Sequence, residues 1–251
     1  MEMNKIKKVI KKFIPKRYRK SVRERKNLIF DGYATKSYSQ EGEDIILKRI
    51  FEEKKTPGFY IDIGAHHPMR FSSTYYFYKK GWRGINIDAM PGSMKIFKKI
   101  RPKDINIEIA ISDKKQVLTY YCFNDPALNG FSKGLSIERD NKGRYRIIDE
   151  IKMETLTLAE VLDAHLPENV EIDFLSVDVE GLDFQVLKSN NWSKYKPKVI
   201  LVESLDFSFY NLDDSEIYKF LVNKGYHLFA KTINTLLFIS NSFEEQKWRK
   251  N

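Results

Sequence analysis

Acidic side chains recur in this sequence at the ends of short apolar runs, where an open α/β sheet presents its chemistry. Tyr60-Ile-Asp-Ile-Gly-Ala-His-His-Pro68 carries Asp62 to the end of a strand-like run, and a sharp turn at Gly64-Ala65 follows. Small residues there let a ligand approach the backbone closely, and the carboxyl ends of the strands border the ligand crevice of such a sheet. A carboxylate at that point can hold an ammonium group or orient water, but it repels phosphate. Pyrophosphate cofactors prefer a glycine-rich turn with unopposed amides at a helix N-terminus. Here a single glycine stands beside an acid, so Asp62, Gly64 and Ala65 suit the zwitterionic tail of S-adenosylmethionine better than NAD.

Three further acidic points follow. Asp88, with Ala89 next to it, ends the second run; a carboxylate there can accept hydrogen bonds from both ribose hydroxyls, or cap the helix before Pro91. Ala110-Ile-Ser-Asp113 follows the third run, and Ser112 and Asp113 are candidates for the adenine edge, or for a simple turn before Lys114-Lys115. Ser176-Val-Asp-Val-Glu-Gly181 places Asp178 and Glu180 two residues apart, on one face of an extended chain. Such a pair can act as general base, substrate clamp or metal ligands; a base or substrate contact is preferred here over a Mg²⁺ site. Glu203 and Asp206 close the next run at the same edge and are candidate substrate contacts. Histidine is neutral near pH 7 and can take a hydroxyl proton. His67 is therefore a third base candidate beside Asp178 and Glu180, and His66 a substrate contact. Neighbouring side chains diverge in an extended turn, which argues against a metal held by that pair. Upstream, Ser39, Gln40 and Glu43 can close over the methionine end of the donor; ordinary capping of a helix over 42–51 is the alternative for Glu43.

The elements that must position these groups alternate. Strands are expected at 59–63, 84–88, 105–111, 117–123, 172–177 and 198–203. Helices are expected at 71–80, 91–100, 157–165, from Asp183, and at 213–223 with Asp213 or Asp214 as cap and Gly225 as stop. Residues 124–150 read as a long loop. Tyr226–Ile233 and Thr235–Ser240 leave no room for an intervening helix and must pair as an antiparallel hairpin. The predicted architecture is α/β: a class I methyltransferase Rossmann-like, doubly wound sheet, mostly parallel, with a C-terminal antiparallel hairpin. A nicotinamide dehydrogenase would continue in parallel and carry G-x-G-x-x-G, which is missing.

The net charge of +10 resides in residues 1–27, which hold twelve Lys or Arg and two acids; the remainder is balanced. A neutral body argues against a nucleic-acid-binding face. Ile6, Val9, Ile10, Phe13 and Ile14 share one helical face and lysines fill the other, until Pro15. This reads as an appendage, 1–27, able to touch an anionic membrane surface through residues 5–20, followed by a single catalytic domain, 28–251. No apolar run approaches the ~20 residues of a membrane span, and no secretory signal is apparent. A lone cysteine, Cys122, fits a reducing cytoplasm. The expected location is cytoplasmic, at the inner face of the membrane.

Taken in order, Tyr38-Ser-Gln-Glu-Gly-Glu-Asp-Ile-Ile-Leu47, Ile61-Asp-Ile-Gly-Ala-His-His-Pro68, Gly81-Trp-Arg-Gly-Ile-Asn-Ile-Asp88 and Val177-Asp-Val-Glu-Gly181 resemble the FkbM-type methyltransferase family over about two-thirds of the chain. The resemblance implies S-adenosylmethionine as donor, usually O-methylation, and often sugars or secondary metabolites as acceptors, including bacterial surface glycans such as capsule or lipopolysaccharide. It maps the family's Ser-Gln stretch onto Ser39 and Gln40 and its acidic pair onto Asp178 and Glu180. His66-His67 and the 124–150 segment depart from the pattern and are assigned to acceptor recognition. The expected activity is methylation of a hydroxyl on a sugar or nucleotide-sugar. The rivals are a non-sugar metabolite or RNA methyltransferase and a non-catalytic membrane-associated protein on the same fold.

Overall fold

A computed structural model describes residues 15–248 of the chain, whose contacts divide it into two units, Met1–Lys36 and Ser37–Asn251. In the first, a 3-10 turn at Lys16–Tyr18 leads into helix α1, Arg19–Ile29. The helix continues past residue 27, and the contacts separate the units after Lys36. The amphipathic stretch 5–14 lies outside the described residues. No helix among those described is long and apolar enough to cross a membrane.

The second unit opens with α2, Glu43–Ile50, then β1, Phe59–Ile63, α3, Tyr75–Lys79, β2, Arg83–Asp88, α4, Met94–Ile100, and β3, Ile105–Glu108. Next come β4, Ala110–Ile111, β5, Val117–Phe123, α5, Lys133–Asn141, β6, Ile147–Leu156, and α6, Leu158–His165. The chain closes with β7, Phe174–Val177, α7, Asp183–Lys188, β8, Val199–Glu203, α8, Glu216–Asn223, β9, Tyr226–Lys231, β10, Thr235–Ser240, and α9, Asn241–Trp248.

The main sheet has seven strands in the order β3-β2-β1-β7-β8-β10-β9. All neighbours are parallel until β10, which pairs antiparallel with both β8 and β9. This is the expected class I methyltransferase layout with its terminal hairpin. The chain reverses direction across the sheet between β1 and β7, which opens a crevice at their carboxyl ends.

β1 is buried along its whole length because helices cover both faces of the sheet. Phe59, Ile61 and Ile63 join one core with Leu158, Val161 and Val186. Tyr60 turns to the opposite core, with Phe51, Phe77, Trp82 and Phe174. Each such side chain contributes about 1.5–3 kcal/mol by leaving water. Asp62 follows Tyr60 onto that second face by the two-residue strand period.

Three expectations are corrected. The strand expected over 105–111 breaks at Ile109, whose N–H donates to the Asp88 carbonyl, and Ala110–Ile111 joins a second sheet, β4-β6-β5. The expected loop 124–150 contains a 3-10 turn, α5 and the start of β6. β5 needs a hydrogen-bonding partner, and β6 supplies it along its full length. Third, α8 starts at Glu216 with Ser215 as cap, its Oγ accepting the Tyr218 N–H, while the two aspartates lie in the 3-10 turn Leu212–Asp214.

Candidate active site

The β1 turn is built around Gly64. Its φ is +77°, and a Cβ there would lie 1.6 Å from the Asp178 carbonyl oxygen, so only glycine fits. The N–H groups of Gly64 and Ala65 both donate to the Ile87 carbonyl, tying this turn to the end of β2. His66, also at positive φ, donates its N–H to Asp88 Oδ2 at 2.8 Å, and Met90 donates to Oδ1 at 2.8 Å. Two amides thus aim the Asp88 carboxylate. Burial pushes its pKa up, and these amides oppose the rise.

Asp62 is buried and accepts the Thr74 hydroxyl at 2.6 Å. Behind Thr74 lies a fully buried guanidinium. Arg101 Nη2 donates to Thr74 Oγ1 at 2.9 Å and to the Tyr60 hydroxyl at 2.7 Å, and its Nε donates to Asp104 at 3.0 Å. Burial raises the Asp62 pKa, and the Arg101 charge counters it. Sequence reasoning missed this network, since Arg101 reads as part of a surface run of basic residues.

At the ends of β7 and β8 the acids crowd together. Asp183, at the start of α7, accepts the Val179 N–H at 3.1 Å and the Gly181 N–H at 3.2 Å, and so shapes the loop that carries Asp178 and Glu180. Burial lifts its pKa to about 6. Glu180 adopts a left-handed φ of +53° and is ion-paired with Arg139 of α5 at 2.7 Å. Burial raises its pKa and Arg139 pulls it down. Burial, then the charges of Glu180 and Asp183, push Glu203 up to about 8. Asp178 is raised well above the usual carboxylate range by burial first and Glu203 second. Protein surrounds it, but its side chain is exposed to solvent through a cavity that it lines. Asp178, Asp183 and Glu203 each offer an oxygen within 4.8 Å of the others, the spacing of a divalent-cation site, although Asp183 already accepts two amides.

That cavity measures about 480 Å³. It brings together Gln40, Gly64, His66, Asp88, Ala89, Asp178, Glu180 and Glu203 of the residues expected from sequence. A smaller recess of about 50 Å³ adds Glu43, Asp62 and Ala65. A further wall comes from β5, which contributes Tyr120, and from the segment expected as a loop, which contributes Asn129, Arg139, Arg144 and Tyr145. It seats closely, since a Cβ on Gly130 would lie 2.7 Å from the Glu180 Cβ. The alternation of Ile147, Ile151 and Met153 with charged residues along β6 is the signal that could have revealed it.

Five expected residues lie elsewhere. Ser39 Oγ accepts the Asp44 N–H and donates to the Asp44 carboxylate, so it is spent on the first turn of α2. His67 Nδ1 accepts the N–H groups of Met69 and Arg70, which makes it a turn-former; His66 is the imidazole on the cavity. Burial lowers the His66 pKa, keeping it neutral at pH 7. Ser112 and Asp113 bond to each other and to Gln116 away from the cavity, whose wall there is Ile109 and Ile111. Asp206 is exposed, and the neighbouring Leu205 lines the cavity instead.

The model of the methyltransferase FkbM domain matches residues 62–228. No curated protein matches the chain. Among solved structures, the crystal structure of monomeric WbdD is similar at 13% identity and a TM-score of 0.42, over 84% of this chain and 43% of that one. The chain thus spans less than half the length of that protein.

Proposed function

The chain belongs to the FkbM methyltransferase family, and we propose that it moves a methyl group from S-adenosylmethionine to a hydroxyl of a sugar or nucleotide-sugar, in assembly of a bacterial surface polysaccharide. The observation that carries this reading is the meeting of Asp178 and Glu203, two carboxyls of raised proton affinity, with Gly64 and Asp88 around one cavity.

The residues fit such a donor. Gly64 lets the β1 turn close against the Asp178 carbonyl beside the cavity, Asp88 is aimed by two amides, and Ile109 and Ile111 offer an apolar flank for a purine. Asp88 would hold the ribose hydroxyls, and Gln40, Glu43 and Asp62 the methionine end. When bound, S-adenosylmethionine supplies an electrophilic methyl carbon. Asp178 and Glu203 would orient the acceptor hydroxyl, and whichever of the two is ionised would receive its proton, since a base works best with a pKa near the working pH. Holding two reactants in line accounts for most of the acceleration expected of this chemistry.

Calorimetric titration of S-adenosylmethionine, alongside NAD, tests the reading. Saturable donor binding that Asp88→Ala weakens by about tenfold or more supports it and justifies screening nucleotide-sugars with and without Mg²⁺. A correctly folded protein that binds no donor overturns it.

A further inference from the structure

Three arginines line the main cavity, and they are not equivalent. Arg139 is neutralised by Glu180. Arg70 and Arg144 have no carboxylate paired with them among the described residues. They come from segments far apart in sequence, the turn after β1 and the link between α5 and β6. Each has its own aromatic partner. Arg70 Cζ lies 4.4 Å from the Phe71 ring centroid, and Arg144 Cζ 5.1 Å from that of Tyr145. Phe71 and Tyr145 line the cavity as well. Phe71 also stacks on His66, with centroids 6.4 Å apart.

The cavity is therefore polar in a directed way. Its floor, at the ends of β7 and β8, gathers Asp178, Glu180 and Glu203, while Arg70 and Arg144, both exposed to solvent, line it from the turn after β1 and the link before β6. Stacking leaves the planar edge of a guanidinium available, and that edge matches phosphoryl and carboxylate oxygens in bidentate fashion. We propose that the acceptor is an anion, and that Arg70 and Arg144 hold its phosphoryl or carboxylate group while its hydroxyl faces Asp178 and Glu203. Phe71 and Tyr145, which line the same cavity, would border the ring. This deepens the methyl-transfer reading and rests on it for the identity of the floor.

The test is titration calorimetry of the full chain with inorganic diphosphate, with glucuronate and with neutral methyl glucoside, each with and without S-adenosylmethionine. Diphosphate or glucuronate is expected to bind and methyl glucoside alone not to. Which anion binds separates a phosphoryl from a carboxylate handle. Arg70→Met and Arg144→Met should each weaken anion binding about tenfold or more, Arg144→Lys by less, and donor affinity should stay within about twofold. Both arginines are exposed, so the variants are expected to fold. Absence of anion binding to the native chain overturns the proposal, as does equal binding by the variants. A parallel loss of donor affinity also overturns it, by assigning the arginines to the carboxylate of the donor. Anion binding without donor binding sinks the methyl-transfer reading and leaves the anion site standing.

Discussion

Replacing Glu203 with Gln removes a carboxyl that keeps its proton up to about pH 8. In the unfolded chain the same group titrates near ~4.3. Between the two values the folded protein binds the extra proton, so native stability falls as pH rises through that window. A tenfold change in proton affinity is about 1.4 kcal/mol, which puts the full penalty near ~5 kcal/mol at pH 9. The cavity is open to water, which screens the field, so about 2–4 kcal/mol is expected. The Glu203 side chain takes no hydrogen bond among the described residues, and a neutral amide of the same shape gives up little. Glu203→Gln should match the native chain at pH 4, below the unfolded value, within about 0.5 kcal/mol and exceed it at pH 9 by about 2–4 kcal/mol. Urea unfolding followed through the buried Trp82 and Trp192 measures this directly. In parallel, turnover should fall about a hundredfold if Glu203 shares the acceptor proton. A stability difference that stays constant from pH 4 to pH 9 would refute the argument, because it would mean that Glu203 ionises normally in the fold.

Two other substitutions probe the frame around the acids. Gly64→Ala places a methyl against the Asp178 carbonyl in a left-handed turn. It should cost more than about 2 kcal/mol of stability and abolish saturable donor binding; a folded variant with native affinity would show that the turn does not border the donor. Arg101→Met leaves Asp104 and the Thr74–Asp62 pair without their buried cation. A loss of about 3–5 kcal/mol is expected by denaturant titration, and a loss under ~1 kcal/mol would mean that the network relaxes around the missing charge.

Much of this protein was legible from its sequence. Largely apolar runs without polar alternation, such as Phe59–Ile63 and Val199–Glu203, specify strands covered on both faces, and the short spacing around Asn234 forces a hairpin. Those two facts fix the sheet and hence the edge at which Asp62, Asp88, Asp178 and Glu203 appear, since a strand's end is a local property. What the sequence could not decide is what stands opposite that edge. Ser39 and His67 have the right chemistry, but local backbone amides claim them, and a hydrogen bond closed within a few residues outcompetes a ligand. Arg101 sits in a run of lysines, yet tertiary packing buries it because Asp104 and Tyr60 are there to satisfy it. The wall carrying Arg139 and Arg144 depends on β5 finding β6, a pairing between residues distant along the chain. Hydrophobic period is written residue by residue, whereas the elevated pKa of Glu203 and the placing of Arg70 and Arg144 on one cavity arise only when separate segments meet around the same space.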